Sequence, residues 1–522
     1  MMAHTTSKHI TGFLLAAGMA LSTACCLTAC YHDDSTTASE LIPDITIGDF
    51  SEEGYTVTSY AAQTLSLLAD VTTAYPESEL TYNWYLIDQT DEQRYRSDDE
   101  EPYQRLYIGT GKALSYEVNL TPGDYTLVLE VSAGNGYLVS KTTTVHVVTN
   151  FSQGFYILKE TTDGNTEMDI FNPENGFFQS DVLTATHGAP MAGKPQNLST
   201  VTSHSYIDTQ ANAESVSNVV TVTTQTGDIS VMRTSDLKEV LNRQNLLYEG
   251  FASDEVPYRI VKCYWINVLV TNKGLRHQYE GSLSLSSSGK YGITNGVAAS
   301  PYLTYDTNSS GMFFWDATTC SICYCDYNGT ASIASDEKFK INNLNRWECM
   351  HAGFCSANGN IIFILRFTAN NMKQLVRLTG AFGSGYQVES MASLNGRKIA
   401  AATSFTTCYQ SAAYIYGLLA NGTIYAFDLE TNTEQQIVPK DIPSDETITY
   451  ISNKYIGGTT TSNDDYFVVG TQKGDDYTLR FYAMLGGIPD GAPIHTIRGT
   501  GSVKAMHYTD NNRRWAQLPL QD

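Results

Sequence analysis

Three cysteines lie close together in the sequence and are the sharpest candidate for metal chemistry. Cys320, Cys323 and Cys325 follow the spacing Cys-x-x-Cys-x-Cys. Thiolates bind zinc, but a structural zinc site takes four ligands, and the alternation of side chains along a regular strand puts Cys320 opposite Cys323. We therefore expect buried free thiols here, with no metal and no other cofactor.

The common catalytic signatures are absent from the sequence. There is no His-Glu-x-x-His motif and no Gly-x-Ser-x-Gly motif. Gly109-Thr110-Gly111-Lys112-Ala113 lacks the spacing of a phosphate loop and is interpreted as a hairpin turn. Asp163-Gly164-Asn165-Thr166-Glu167-Met168-Asp169 has oxygen ligands at near-calcium spacing but is more typical of a hairpin turn with polar residues. We assign no catalytic residue, although carboxylate pairs suited to glycoside cleavage stay open, because 55 acidic residues cannot be paired without a fold.

The composition favours short strands joined by turns. The 522 residues include 34 tyrosines, 19 phenylalanines and 40 glycines, a profile unlike that of helical bundles. A net charge of −23, from 55 acidic and 32 basic residues, repels phosphate backbones and argues against a nucleic-acid partner. Seven cysteines follow residue 30, so they cannot all form disulfides, although a bond between Cys349 and Cys355 stays open.

The first thirty residues are typical of an export signal. Lys8 precedes the apolar run 12–24, which is too short to span a bilayer as a mature helix. Leu27-Thr28-Ala29-Cys30 resembles the bacterial lipoprotein box, which implies that residues 1–29 are removed and that Cys30 carries the lipid; an ordinary secretory signal is the alternative. Tyr31-His32-Asp33-Asp34 resembles the Bacteroidetes signal for the outer face of the outer membrane. Residues 30–40 would then be the lipidated N-terminus and a tether.

Residues 41–149 read as an immunoglobulin-like sandwich. Trp84 lies centrally in the alternating run 80–87, where a sandwich needs a large side chain between its sheets. The segment Pro122-Gly123-Asp124-Tyr125-Thr126-Leu127-Val128-Leu129-Glu130-Val131 resembles the late strands of PKD-like domains. The Gly-Asp-Gly that commonly follows the tryptophan is missing here, so Trp84 is expected to be structural.

Residues 150–522 repeat a strand–tight turn–strand unit about every fifty residues, the spacing of a β-propeller blade. We predict seven blades, each with the hairpin as its middle pair. The spare strand 502–508 is predicted to complete the first blade and close the ring. The predicted hairpins are 155–160 with 167–171, 218–224 with 228–233, 265–271 with 275–279, 312–316 with 321–327, 360–367 with 372–378, 413–420 with 423–429, and 465–471 with 477–483.

The lipoprotein box, the PKD-like module and the propeller together resemble the PKD-like family lipoproteins of Bacteroidetes. The resemblance implies an all-β, surface-exposed, non-catalytic accessory lipoprotein that contacts the membrane through its N-terminal lipid. It would work with a TonB-dependent nutrient importer of the starch-utilisation type and that importer's binding-lid lipoprotein, on a glycan or peptide ligand. A propeller glycoside hydrolase or polysaccharide lyase, and an adhesin or structural spacer, are the alternatives.

Propellers bind ligands at the mouth of the central channel, where aromatic faces with a polar rim receive sugar rings or peptide side chains. We expect the candidates on loops that join one blade's outer strand to the next blade's inner strand. Packing between blades is the alternative for each of them. The first choices are Trp347 and His351, and the others are Tyr258, Tyr264, Tyr302 and Tyr386.

Overall fold

The computed structural model describes residues 44–59, 63–89, 104–208, 213–263, 266–279, 289–292, 299–305, 311–326, 330–381, 385–456 and 465–509. Within these ranges the chain forms 36 strands, the short helix α1 (Val182–His187) and two 3₁₀ turns, Glu77–Glu79 and Lys398–Ala401. The predicted all-β class is confirmed. None of the helices described in these ranges is long and apolar enough to cross a membrane.

The first nine strands form a β-sandwich. A five-stranded sheet in the order β2-β9-β8-β5-β6 lies with two pairs, β1-β4 and β3-β7, and all pairings are antiparallel except that of β2 with β9. The strands are β1 (Ile45–Ile47), β2 (Tyr55–Thr58), β3 (Thr64–Leu68), β4 (Val71–Thr73), β5 (Leu80–Asp88), β6 (Arg105–Thr110), β7 (Ala113–Glu117), β8 (Gly123–Ala133) and β9 (Leu138–Val148).

The sandwich core is organised around Trp84, as predicted. Its side chain is fully buried in one cluster with residues from both layers, and its Nε1 donates to the Gly111 carbonyl at 2.9 Å. The Tyr125 hydroxyl donates to the Thr121 carbonyl at 2.8 Å, which is the tyrosine-corner contact of immunoglobulin-like folds. The predicted turn at Gly111 and Lys112 is present, but it is not a hairpin, because β6 pairs with β5 whereas β7 pairs with β3.

The remaining strands form seven consecutive sheets. Each predicted hairpin is found, and each supplies the second and third strands of its sheet. The third sheet has three strands within the described ranges and the others have four. The strands are β10 (Gly154–Glu160), β11 (Thr166–Phe171), β12 (Phe178–Gln179); β13 (Pro195–Asp208), β14 (Ala213–Thr224), β15 (Ile229–Arg233), β16 (Glu239–Asn242); β17 (Pro257–Cys263), β18 (Ile266–Thr271), β19 (Gly274–Tyr279); β20 (Ala299–Tyr305), β21 (Met312–Asp316), β22 (Ser321–Cys325), β23 (Ala331–Ile333); β24 (Trp347–Cys355), β25 (Asn360–Phe367), β26 (Lys373–Ala381), β27 (Gly385–Ser393); β28 (Ala402–Thr407), β29 (Tyr414–Leu419), β30 (Ile424–Asp428), β31 (Glu434–Ile437); β32 (Thr447–Tyr455), β33 (Asp465–Lys473), β34 (Asp476–Leu485), β35 (Ile488–Thr500); and β36 (Ser502–Thr509).

The seven sheets close into a ring. The strand β36 pairs antiparallel with β10, so the C-terminal strand completes the first sheet and the predicted closure is confirmed. We call β36, β13, β17, β20, β24, β28 and β32 the inner strands; each contacts the next in this order, and β32 contacts β36 again. Only a circular arrangement of sheets produces such a closed cycle of contacts, which is the geometry of a seven-bladed β-propeller.

The sheets pack on one another through side chains that alternate along their central strands. Phe313 joins a cluster with Phe363 of the fifth sheet, whereas its neighbour Phe314 joins a cluster with Val268 of the third sheet. Because both faces of a blade are covered, all five residues of β21 are buried and the first four are apolar. Burying each such ring stabilises the fold by about 2–3 kcal/mol.

Candidate functional site

The inner strands surround the propeller axis and run along it in the same direction. Two contacts fix this shared direction. Arg259, third in β17, donates from Nη2 to the carbonyl of Pro301, third in β20, at 2.9 Å. Farther along, Lys262 donates from Nζ to the Thr202 carbonyl of β13 at 3.2 Å. The first residues of the inner strands therefore surround one opening of the axis, which we call the mouth.

Five residues from β17, β20, β24 and β25 form the mouth cluster: Arg259, Tyr302, Trp347, Glu348 and Arg366. Glu348 is directly opposite Arg366 in the β24–β25 register, and their side chains form an ion pair. Both remain accessible, with 40% and 39% of their side chains exposed. This pair gives the mouth a charged, solvent-facing edge.

The aromatic members lie beside that edge. Tyr302 is 37% exposed, and the Trp347 ring packs on Phe367 with a centroid distance of 5.3 Å. Partial burial raises the pKa of the Tyr302 hydroxyl, and the nearby negative charge of Glu348 raises it further. The positive charges of Arg366 and Arg259 act in the opposite direction, so all three charged groups lie within electrostatic reach of the Tyr302 hydroxyl. The cluster thus combines an accessible phenol ring, an indole edge, two guanidinium groups and one carboxylate.

His351 lies deeper in the same inner strand and packs between two blades. It is 4% exposed, its Nε2 is 2.7 Å from Thr407 Oγ1, and its ring lies 6.5 Å from that of Phe405. Thr407 and Phe405 belong to β28 of the next sheet. The predicted placement in a connecting loop is wrong for His351, and the contacts it makes are those of the alternative, packing between blades.

The loop placement is also wrong for other candidates. Tyr258, Tyr302 and Trp347 lie in inner strands, and Tyr386 lies in β27, the outermost strand of its sheet. The Tyr386 hydroxyl accepts from the backbone N–H of Ser335 at 2.6 Å and donates to the carbonyl of Ser335 at 3.1 Å. Of the predicted set, Tyr302 and Trp347 lie on neighbouring inner strands that contact each other, β20 and β24, whereas Tyr386 lies on the outermost strand of its sheet. Tyr264 and the lipidation residue Cys30 lie outside the described residues.

The cysteine motif does not assemble a metal site. Cys323 and Cys325 face the third sheet, whereas Cys320 packs toward the fifth, which confirms the predicted alternation. Across the described part of the chain, no three metal-binding side chains converge. Burial raises the pKa of the Cys323 and Cys325 thiols to about 12, so they stay protonated. Cys349 and Cys355 are both free thiols, and the disulfide left open between them is absent.

The sequence analysis missed the basic residues of the inner strands. Arg259 and Lys262 flank Ile260 and Val261 in β17, and Lys454 is the second-last residue of β32. All three are buried, with exposures of 4%, 5% and 2%. The available signal was a basic residue inside a strand of a strongly acidic chain, since charged residues are seldom buried.

Comparison with protein-family models gives one match. Residues 30–195 match the model described as the PKD-like family. The match begins at Cys30 and extends through the sandwich. It also includes β10, β11 and β12 of the first blade and ends at the first residue of β13. It covers less than half of the chain, so the likeness to this family is shown for the N-terminal part. No curated protein matches the sequence.

Several solved structures are similar over long stretches at low identity. A DUF4784 family protein from Bacteroides caccae is 9% identical, covering 84% of this chain and 93% of its own, with a TM-score of 0.28. An oligogalacturonate lyase from Vibrio parahaemolyticus is 9% identical, covering 67% and 94%, with a TM-score of 0.34. The extracellular domain of a putative one-component system from B. thetaiotaomicron is 9% identical, covering 90% and 72%, with a TM-score of 0.25. At these scores the likenesses carry no functional argument.

Proposed function

We propose that this protein is a surface-exposed outer-membrane lipoprotein that binds a nutrient ligand, a glycan or a peptide, at the mouth of its propeller and passes it to a TonB-dependent importer. In this proposal Cys30 carries the lipid, the PKD-like sandwich holds the ring away from the membrane, and the importer's binding-lid lipoprotein is a second partner. The role is that of a non-catalytic accessory component.

The observation that carries the proposal is the mouth cluster. The exposed ring of Tyr302, with the partly buried indole of Trp347 on the neighbouring inner strand, supplies the apolar face that a sugar or a side chain needs. Arg366 and Glu348 supply hydrogen-bond donors and acceptors beside it. Ligand sites of proteins usually combine an apolar surface with a few fixed polar groups in a concave place, and the end of a propeller axis is such a place.

The non-catalytic part of the proposal is supported by the carboxylate content of the mouth cluster. Glu348 is the one carboxylate among its five residues and forms an ion pair with Arg366, whereas glycoside cleavage usually takes a pair of carboxylates. Incubation of purified protein with a glycan panel, followed by product analysis, tests this part. Turnover of any glycan would replace the binding role with that of a propeller hydrolase or lyase.

The binding role is tested by replacing the exposed ring. Tyr302→Ala should weaken binding of the cognate ligand about tenfold or more, since it removes most of the aromatic contact area. Tyr386→Ala is the matched control, because Tyr386 lies in an outermost strand with its hydroxyl on the Ser335 backbone. Isothermal titration with neutral and acidic glycans and with peptides supplies the measurement. Equal affinities of Tyr302→Ala and wild type would contradict the proposed site.

The partner role needs a separate experiment in cells. Affinity-tagged full-length protein, cross-linked at the cell surface, should co-purify with a TonB-dependent transporter and its binding-lid lipoprotein. Cys30→Ser should release the protein from the membrane fraction and remove this co-purification. If the protein is instead an adhesin or a structural spacer, it should remain in the membrane fraction and no transporter should co-purify with it.

A further inference from the structure

A cavity of about 250 Å³ lies beside the third sheet of the ring. Its walls come from the connection between β16 and β17, from β19 and from a short segment that follows β19. Two backbone hydrogen bonds join the first and last of these stretches, from Tyr291 N–H to the Leu246 carbonyl at 2.9 Å and from Tyr248 N–H to the Tyr291 carbonyl at 3.3 Å. The cavity therefore has walls that the backbone holds in place, and its size suits one small ring. The lining residues are Tyr248, Glu249, Arg276, Tyr291 and Gly292.

Tyr248 and Glu249 bring an aromatic ring and a carboxylate to this cavity. Tyr248 is 47% exposed, so a ligand can reach its ring from solvent. Glu249 is also exposed, and it forms no ion pair or hydrogen bond within the ranges that the structure describes. Tyr291 forms the buried part of the wall, where its hydroxyl lies 2.8 Å from Nε2 of His204. The cavity thus combines an apolar surface with an unused acceptor group.

Arg276 supplies hydrogen-bond donors that its counterpart in the seventh blade does not. Arg276 donates to Glu255 from Nε and Nη2, and its Nη1 has no hydrogen-bond partner in the described part of the chain. Arg480, by contrast, uses Nη1 for both Glu446 and Thr471. The Arg276 side chain is 15% exposed, against 4% for Arg480. Because a guanidinium carries five N–H donors, Arg276 keeps some of them for a ligand while Glu255 fixes its position.

The charges around the cavity favour a neutral ligand. Glu255 neutralises Arg276, so the unpaired charge in the wall is that of Glu249, which repels an anion. A cation would be attracted by Glu249 but would also meet the positive guanidinium of Arg276. A neutral hydroxylated ring satisfies all three side chains, because a hydroxyl can donate to the carboxylate and accept from the guanidinium while the C–H face of the ring packs on the tyrosine.

We propose that this cavity is a second binding site, which takes one neutral sugar residue. The sugar ring lies against Tyr248, and its hydroxyls donate to Glu249 and accept from Arg276. The site shares no residue with the mouth cluster, so it goes beyond the function proposed above and can be tested separately from it.

The ligand class is tested with five small probes. Saturation-transfer NMR and isothermal titration measure how the full chain binds the methyl glycosides of glucose, galactose, mannose and galacturonic acid, and tetramethylammonium chloride. We expect at least one of the three neutral glycosides to bind at millimolar concentration and the galacturonic acid glycoside to bind at least about tenfold more weakly than it. The proposal is overturned if no neutral glycoside binds, if the acidic glycoside binds as tightly as the neutral ones, or if tetramethylammonium binds more tightly than all of them.

A substitution that fills the cavity locates the bound glycoside. A Cβ added at Gly292 would meet only Cδ2 of Tyr248, at 3.9 Å, and the backbone there is not in the left-handed region. Gly292→Leu should therefore keep the fold and weaken the glycoside at least about tenfold by occupying its place. Gly134→Leu is the matched control, because it adds the same side chain to the sandwich at a position with no atom within 4 Å of the Cβ.

Removal of the aromatic ring tests the site independently of Gly292. Tyr248→Ala should also weaken the glycoside at least about tenfold, whereas Tyr107→Ala, which removes a 52% exposed tyrosine from the sandwich, should bind like wild type. If Gly292→Leu does not fold, Tyr248→Ala decides the matter. Unchanged affinity in either folded variant would disprove the site. Loss of the glycoside in Tyr302→Ala but not in Tyr248→Ala would place it at the mouth, which would overturn this proposal and support the previous one.

Discussion

The hydroxyl of Tyr477 donates a hydrogen bond to the carboxylate of Asp169 at the junction where the seventh and first sheets of the ring meet. Tyr477 lies in β34 and Asp169 in β11. The same carboxylate is 2.6 Å from Nζ of Lys159, which is also 2.8 Å from Asp181. The seam between the seventh and first sheets is therefore held by a hydrogen bond to a buried, ion-paired carboxylate, and the ion pair itself lies within the first sheet.

Removing the negative charge from this seam should destabilise the propeller strongly. Lys159 and Asp169 are 1% and 0% exposed, so Asp169→Asn leaves the buried ammonium with only the half-exposed carboxylate of Asp181. We expect a loss of about 3 kcal/mol, since breaking one side of a buried pair costs more than the pair contributes. Urea unfolding measures the change. Asp163→Asn, in the exposed turn of the same hairpin, is the control and should shift the midpoint little.

The strand β36 should be essential for the closed ring. A chain that ends at Gly501 exposes the edge of β10 along the whole register from Gly154 to Glu160. An uncovered edge and an open seam should yield a poorly folded or aggregating propeller. Adding a peptide that spans residues 502–509 should restore folding by strand addition. Normal solubility and an unchanged thermal midpoint of the truncated chain would show that closure contributes little.

Much of the fold follows from local signals in the sequence. Asn421-Gly422 bends between β29 and β30, as such a dipeptide does in hairpins. The fourth hairpin has no glycine turn, and its turn is instead held by the Asp316 carboxylate, which accepts from the Thr318 N–H at 2.8 Å and from the Thr319 hydroxyl. An aspartate can organise a turn as well as a glycine can, so this hairpin was recognisable from its flanking strands.

The candidate site was harder to predict from the sequence, because the inner strands that carry it line the axis of the ring and do not have the apolar pattern of central strands. Their side chains are a mixture of polar and apolar groups, and the segment containing Trp347 and His351 lacks the continuous apolar run of a central strand. Such a segment is easily mistaken for a loop. The ion pairs could not be predicted either, because the partners are distant in the sequence. Arg276 and Glu255, for example, form an ion pair although they are 21 positions apart. Only the folded register brings these groups together.

The same three residue types recur in two blades. Arg276 donates to both oxygens of Glu255, at 2.8 Å each, and Thr271 donates to the same carboxylate. In the seventh blade Arg480 and Thr471 make the equivalent contacts with Glu446. In each case the glutamate lies just before an inner strand, so the pair ties that strand to the third strand of its blade.

Acid should weaken this tie in a defined direction. The hydrogen bond from Arg480 lowers the pKa of Glu446 below its ordinary value of 4.5. A carboxyl whose pKa is lower in the folded state stabilises the fold above pH 4.5, and this contribution is lost as the pH falls through the folded-state pKa. The free energy of unfolding should therefore decrease from about pH 5 to about pH 3 in wild type and decrease less steeply in Glu446→Gln. Glu430→Gln, at an exposed position, should keep the wild-type slope.

A methyl group at Gly353 should separate the packing role of His351 from ligand binding. A Cβ there would lie 2.3 Å from Thr407 Oγ1 and 2.7 Å from His351 Nε2, the two atoms that bond across the fifth and sixth blades. Gly353→Ala should cost about 2 kcal/mol of stability, as overpacking in a core does. Gly134→Ala, with no atom within 4 Å of the added Cβ, should be nearly neutral. If His351 acts only in packing, the folded Gly353→Ala variant should bind ligand with wild-type affinity. A loss of affinity in the folded variant would indicate that His351 takes part in ligand binding.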